Sequence, residues 1–217
     1  MLKPATVTRP TAATLVQHVD TSILLADTRQ SRLDRAAFQA KGFTSPKVRH
    51  LLNNLGHLAG LDYLEVGVHR GATFIATNYR NTLSSAVAID NWSEFDDDGE
   101  VKAEFLGHCA TLLRPDAYQF IEQDCFTVTR RQLPAPVNFY FYDGEHSHAS
   151  QRLALTHFYP MLDDEFLFLV DDYTWKSART GTEQAIAELD LDVLYEKELV
   201  DGWWNGLFVG VLRKRKR

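Results

Sequence analysis

An acid at position 143, a histidine at 146 and an acidic pair at 171 and 172 are spaced so that they could do chemistry together. Each acid closes an apolar run, "FYFYD" at 139–143 and "EFLFLVDD" at 165–172. If the two runs are neighbouring strands, about 4.8 Å apart, the carboxylates that leave their ends converge. Three carboxylates in one place repel unless something positive sits between them, and oxygen donors in this number suit Mg²⁺ with positions left for substrate. Such an ion lowers the pKa of a hydroxyl bound to it and fixes its oxygen for attack. His146, an imidazole that ordinarily titrates near about 6.5, can take the released proton. Asp143, Asp171 and Asp172 are therefore the candidate metal ligands, and His146 with Asp143 the candidate catalytic pair.

A second group lies upstream. "LEVGVHRG" at 64–71 brings Glu65, Gly67 and Gly71 to a strand-to-helix turn, where a glycine lets a ligand approach the backbone and relieves crowding at the start of the helix. Asp90 closes "AVAID" and Asp124 closes "YQFIEQD". An acid at the position of Asp90 can accept hydrogen bonds from both hydroxyls of a ribose, as it does in NAD-binding folds, so Asp90 alone does not choose a cofactor. The full G-x-G-x-x-G fingerprint is missing, because Val68 and His69 follow Gly67; a nicotinamide-dependent oxidoreductase is the weaker reading.

These residues need a frame that delivers them to one edge. Short apolar runs at 61–67, 85–90, 118–124, 137–143 and 165–172 alternate with helix-length stretches at 71–81, 100–113, 147–160 and 178–189. That alternation predicts a mainly parallel sheet with helices on both faces, whose ligands bind at the carboxyl ends of the strands. A helix is expected to start at "SPKVRHLLNNL" from Ser45, and two further strands at 192–199 and 204–214 joined around Gly202 read as an antiparallel hairpin. Residues 1–45, with Pro4, Pro10 and a helix expected over about 31–40, read as a cap or lid before a domain of residues 46–217.

Composition narrows the partners. With 45% apolar and 24% charged residues the 217-residue chain can bury one core, and a net charge of −6 excludes a protein devoted to nucleic-acid phosphates. The basic run "RKRKR" at 213–217 reads as a solvated, frayed end. Cys109 and Cys125 form no metal-spaced pair and read as free thiols. Neither a signal peptide nor a membrane-spanning run is present, so a cytoplasmic protein without membrane contact is expected. A homo-oligomer is compatible with all of this.

Five parallel strands completed by a hairpin resemble the class I S-adenosylmethionine-dependent methyltransferases, from about residue 46 to the end. The expected fold is thus a Rossmann-like, doubly wound, mainly parallel seven-stranded sheet with a C-terminal antiparallel hairpin. More narrowly, "YLEVGVHRG", "FYDGEHSH" and "LVDDY" resemble the metal-dependent macrocin and mycinamicin sugar O-methyltransferases and their cephalosporin-biosynthesis relatives. The resemblance implies that Glu65, Gly67 and Gly71 frame the methionine part of S-adenosylmethionine. It implies that Asp90, with Asn91 and Trp92 beside it, meets the ribose, that Asp124 and Cys125 meet the adenine, and that Asp143 borders both cofactor and metal. It further implies Mg²⁺ on Asp143, Asp171 and Asp172, His146 as general base, and a small-molecule methyl acceptor bearing a sugar or catechol-like hydroxyl. The competing readings are a metal-free N-methyltransferase, in which the acids hold a cationic acceptor, and a non-catalytic cofactor-binding module.

Overall fold

The computed structural model describes residues 8–96 and 98–215. Seven strands form one sheet in the order β3-β2-β1-β4-β5-β7-β6: β1 is Asp62–Val66, β2 Ser85–Ile89, β3 Gln119–Ile121, β4 Val137–Tyr142, β5 Leu162–Val170, β6 Leu191–Leu199 and β7 Leu207–Lys214. β1 to β5 pair in parallel, and β7 is antiparallel to both β5 and β6. This is the Rossmann-like architecture expected from the strand and helix alternation.

β4 sits at the centre because all six of its residues can be buried on both faces. Side chains alternate across a strand, so Phe139 and Phe141 enter one apolar layer and Tyr140 and Tyr142 the other. The first layer is covered by α1 (Ala12–Asp27), α2 (Pro46–Leu55), α3 (Ala72–Asn78) and α4 (Glu100–Leu112). α5 (His148–Thr156) and α6 (Lys176–Glu188) cover the second through Ala154, Leu155 and Ala185. Buried polar groups on the main chain are satisfied locally: Asn138 accepts from the Asp62 N–H at 2.7 Å and donates to the Gly60 carbonyl at 2.9 Å, locking β1 to β4.

Three local expectations are corrected. The helix expected over about 31–40 is a single 3₁₀ turn at Ala37–Gln39, and the N-terminal segment instead holds the sixteen-residue α1. Thr11 caps it by accepting from the Thr14 N–H, and Leu15, Val19, Ile23 and Ala26 follow at helical spacing. β5 begins at Leu162, three residues before the run that marked it. The basic end is not frayed where it is described: Arg213 and Lys214 finish β7, Arg213 pairs with Glu165, and Arg215 pairs with Asp190 and Asp192; residues 216 and 217 lie outside the described residues. Among the described residues no helix is long and apolar enough to cross a membrane.

α1 packs into the same apolar layer as Leu51, Leu55, Phe139 and Leu167. Leu15→Ala should therefore cost about 2–5 kcal/mol, as a core truncation does, with a single transition in urea. An unchanged midpoint would mean that α1 is attached to the surface only.

Candidate active site

Strand register builds the site. Ile89, Val66, Tyr142 and Val170 lie side by side on β2, β1, β4 and β5. The next residues are Asp90, Gly67, Asp143 and Asp171, and backbone bonding continues through them: Gly67 N–H to Ile89 at 2.9 Å, Asp143 N–H to Val66 at 2.9 Å and Asp171 N–H to Tyr142 at 3.1 Å. Three acids and a glycine thus leave the sheet in one row. Gly67 has φ +85°, and a β-carbon there would stand 2.1 Å from the Asp143 carbonyl oxygen. Its first role is to let the ends of β1 and β4 touch. Gly71, at φ +92°, is the N-cap of α3, and a β-carbon there would press on Phe105.

The acids differ in what satisfies them. Glu65 is fully buried on the inner layer of β1, where the Tyr63 and Thr73 hydroxyls donate to its two oxygens. Burial, with lesser contributions from Asp90 and Asp171, raises its pKa to about 8 despite those donors. Asp90 accepts the His69 N–H at 2.9 Å on one oxygen and the Trp92 N–H at 2.8 Å on the other. Asp143 and Asp171 have little but each other. Burial, then Asp171, Glu65 and Asp172, pushes the Asp143 carboxyl well above the carboxylate range, while burial and Asp172 bring Asp171 to about 7. Asp171 Oδ1 is buried without any hydrogen-bond partner, an exception to the rule that buried polar atoms are paired.

Asp172, which follows directly, approaches a histidine. Its φ of +50° starts a tight turn in which the Trp175 N–H returns to the Asp172 carbonyl at 2.8 Å. Its Oδ2 stands 3.6 Å from His146 Nε2. His146 is held from two sides: Tyr142 OH bonds to the Glu145 carbonyl at 3.2 Å, and Ser147 both binds Glu145 and caps α5. His146 Nε2 is buried and has no hydrogen-bond partner. Trp175, 55% exposed, packs on the imidazole with ring centroids 5.2 Å apart. Among the described residues no three of His, Cys, Asp and Glu are arranged as a ready metal centre. The donor set nevertheless fits a hard cation: acidic oxygens that repel one another, one of them buried and unpaired.

On the other flank, Asp124 is exposed and caps a 3₁₀ turn by accepting the Phe126 N–H at 2.9 Å. Cys125 is half-buried, its thiol pushed up to about 12 by burial, then by Asp124 and, more weakly, Asp90. Asn91 folds back on Ser93. Trp92 is buried against Phe105 and Phe120, with its indole N–H on the His69 carbonyl at 3.1 Å, so it braces the turn. Tyr173 likewise packs, on Phe208 at 4.7 Å. Sequence reasoning passed over Tyr63 and Thr73, which hold Glu65, and His69, which holds Asp90. For Thr73 the available signal was its place in the first turn of the helix after Gly71.

A family model described as "Methyltransferase domain" matches residues 64–173, half of the chain. The chain belongs to this methyltransferase family. No curated protein matches it. Solved structures with similar folds include the tomaymycin-synthesis O-methyltransferase TomG of Streptomyces achromogenes in complex with SAM, at 14% identity and TM-score 0.60, covering 93% of this chain and 99% of that one. The SAH-bound methyltransferase PaMTH1 of Podospora anserina is 15% identical with TM-score 0.58, over 98% and 91% of the two chains. TrmK of M. capricolum, also with SAH, is 12% identical with TM-score 0.54, over 85% and 70%. At these identities the likeness concerns the fold.

Glu65 provides a pH test. Below its ordinary value of 4.5 both folded and unfolded chains carry the proton; between 4.5 and about 8 only the folded chain does. Unfolding then releases a proton, so the contribution of Glu65 to stability is complete at low pH and is lost as pH rises through about 8. Glu65→Gln removes this titration. Its stability relative to wild type should rise from about pH 5 to pH 8, by no more than about 1.4 kcal/mol per unit; urea midpoints that stay parallel would contradict it.

Proposed function

We propose that this chain is an S-adenosylmethionine-dependent O-methyltransferase that acts on a ring hydroxyl of a small molecule and uses Mg²⁺. The observation that carries the reading is the row of acids at the sheet edge, with a buried, unpartnered imidazole nitrogen 3.6 Å from Asp172. SAM or SAH bound to TomG, PaMTH1 and TrmK supports the cofactor, and TomG supports an oxygen acceptor. The motif resemblance to the macrocin and mycinamicin group favours a sugar or vicinal hydroxyl.

In this reading Gly67 and Gly71 leave room for the methionine part, Glu65 stiffens the turn from beneath, Asp90 holds the ribose hydroxyls, and Asp124 with Cys125 borders the adenine. S-adenosylmethionine supplies an electrophilic methyl. Mg²⁺ held by Asp143, Asp171 and Asp172 would supply Lewis acidity that makes an acceptor hydroxyl easier to deprotonate. His146 Nε2 receives that proton, and Asp172 stabilises the imidazolium that results. Trp175 shields the imidazole from bulk water on its other face. The absence, among the described residues, of three ligands already gathered favours one second reading: metal-free methylation of an amine, with Asp143 and Asp171 holding its positive charge.

Methyl-labelled S-adenosylmethionine offered with catechol or methyl glucoside separates these. Turnover should vanish with EDTA and return with Mg²⁺, and Asp171→Asn should lose it. His146→Ala should lower kcat by about 10²–10⁴-fold while cofactor affinity is unchanged. Chelator-resistant transfer, or transfer to amines alone, would overturn the metal-dependent O-methyl reading.

A further inference from the structure

The N-terminal segment crosses the cofactor edge in a way that the proposed function does not use. Gly42 lies against the first residue of α3, where a β-carbon on it would stand 2.6 Å from Ala72 Cβ. Lys41 pairs at 3.2 Å with Glu104, which also takes Arg70 of the β1–α3 turn at 2.9 Å. Beyond this crossing the Ser45 hydroxyl donates to the carbonyl of Trp203 in the β6–β7 turn. Between these anchors Phe43 lies flat on the His69 ring, with centroids 4.8 Å apart and planes 21° apart.

His69 is where three segments meet. Its φ of +48° is the left-handed region, which a non-glycine residue adopts only when its surroundings hold it there. That conformation aims its N–H at Asp90 Oδ2, and its carbonyl takes the Trp92 indole. Phe95, from the loop after β2, meets the same ring edge-on at 6.3 Å. His69 Nδ1 is buried without a partner, a polar atom that the chain leaves for something else to satisfy.

We infer that Phe43 and His69 are positioning residues for the ribose of an adenosyl cofactor: the stacked ring of the N-terminal segment holds the left-handed turn, and the turn orients Asp90. This rests on the reading of Asp90 as the ribose acceptor. Phe43 is 78% exposed, so its removal costs little core packing. The contact is an aromatic stack of defined geometry rather than a buried side chain.

Calorimetric titration of S-adenosylhomocysteine and of its 2′-deoxy analogue into wild type, Phe43→Ala, Phe43→Tyr and His69→Asn tests this. Wild type should prefer the ribose form by roughly tenfold, the value of one charge-assisted hydrogen bond. Phe43→Ala should collapse that preference toward unity by weakening the ribose form alone, and Phe43→Tyr should restore it. His69→Asn, which tolerates the left-handed turn but has no ring to stack, should behave as Phe43→Ala does. An unchanged preference in both variants, or equal weakening of both ligands, would overturn the inference while leaving the methyltransferase reading intact. Failure of wild type to bind S-adenosylhomocysteine at all would overturn both.

Discussion

Parallel strands that end in register force their next residues into a single row, and here that row is acidic. Asp90, Asp143 and Asp171 leave β2, β4 and β5 around a glycine, with Glu65 buried one step below. Carboxylates withdrawn from water need donors or must keep their protons. The chain meets this requirement unevenly. Glu65 takes two hydroxyls and Asp90 takes two backbone N–H groups, so these two are fixed parts of the frame. Asp143 and Asp171 are buried with their ionisation opposed by burial and by the neighbouring acids, and one oxygen of Asp171 has no partner. Unpartnered buried atoms of Asp171 and His146 thus lie at the ends of β4 and β5, where His146 faces Asp172.

Backbone conformation at the same edge serves that arrangement. His69, Trp92 and Asp172 all have positive φ, and each lies within a few residues of a strand's carboxyl end. In every case the turn redirects the chain so that a main-chain group or carboxylate faces the row: His69 and Trp92 toward Asp90, Asp172 toward His146. Residues of this kind are held by their surroundings, which accounts for the packing invested in them: Trp92 on Phe105, His69 under Phe43, Trp175 over His146. The family's sheet supplies the row, and the turns supply its orientation.

Much of this was legible in the chain. β4 could be read from an unbroken apolar aromatic run, since only a strand buried on both faces tolerates one, and the acids at 90, 143 and 171 marked the carboxyl edges because each ended such a run. What could not be read depended on tertiary partners. α1 was hidden by a polar-looking segment whose Thr11 cap and four-residue apolar spacing gain meaning only against α2 and the sheet. The convergence of three carboxylates was inferred from strand spacing; the left-handed turn at Asp172, one oxygen of which stands 3.6 Å from His146, has no signature in an Asp-Asp-Tyr sequence. Trp92, expected beside Asp90 at the ribose, packs against Phe105 and Phe120, partners far away in the chain that no local pattern announces.

The proposed chemistry requires the edge of β1 and β2 to be an adenosyl-sulfonium site. Calorimetric titration of S-adenosylmethionine into metal-free protein, with NAD titrated in parallel, tests it most directly. Saturable one-site binding of S-adenosylmethionine and none of NAD is the predicted result. No binding of S-adenosylmethionine with or without added Mg²⁺, or binding of NAD in its place, would contradict it.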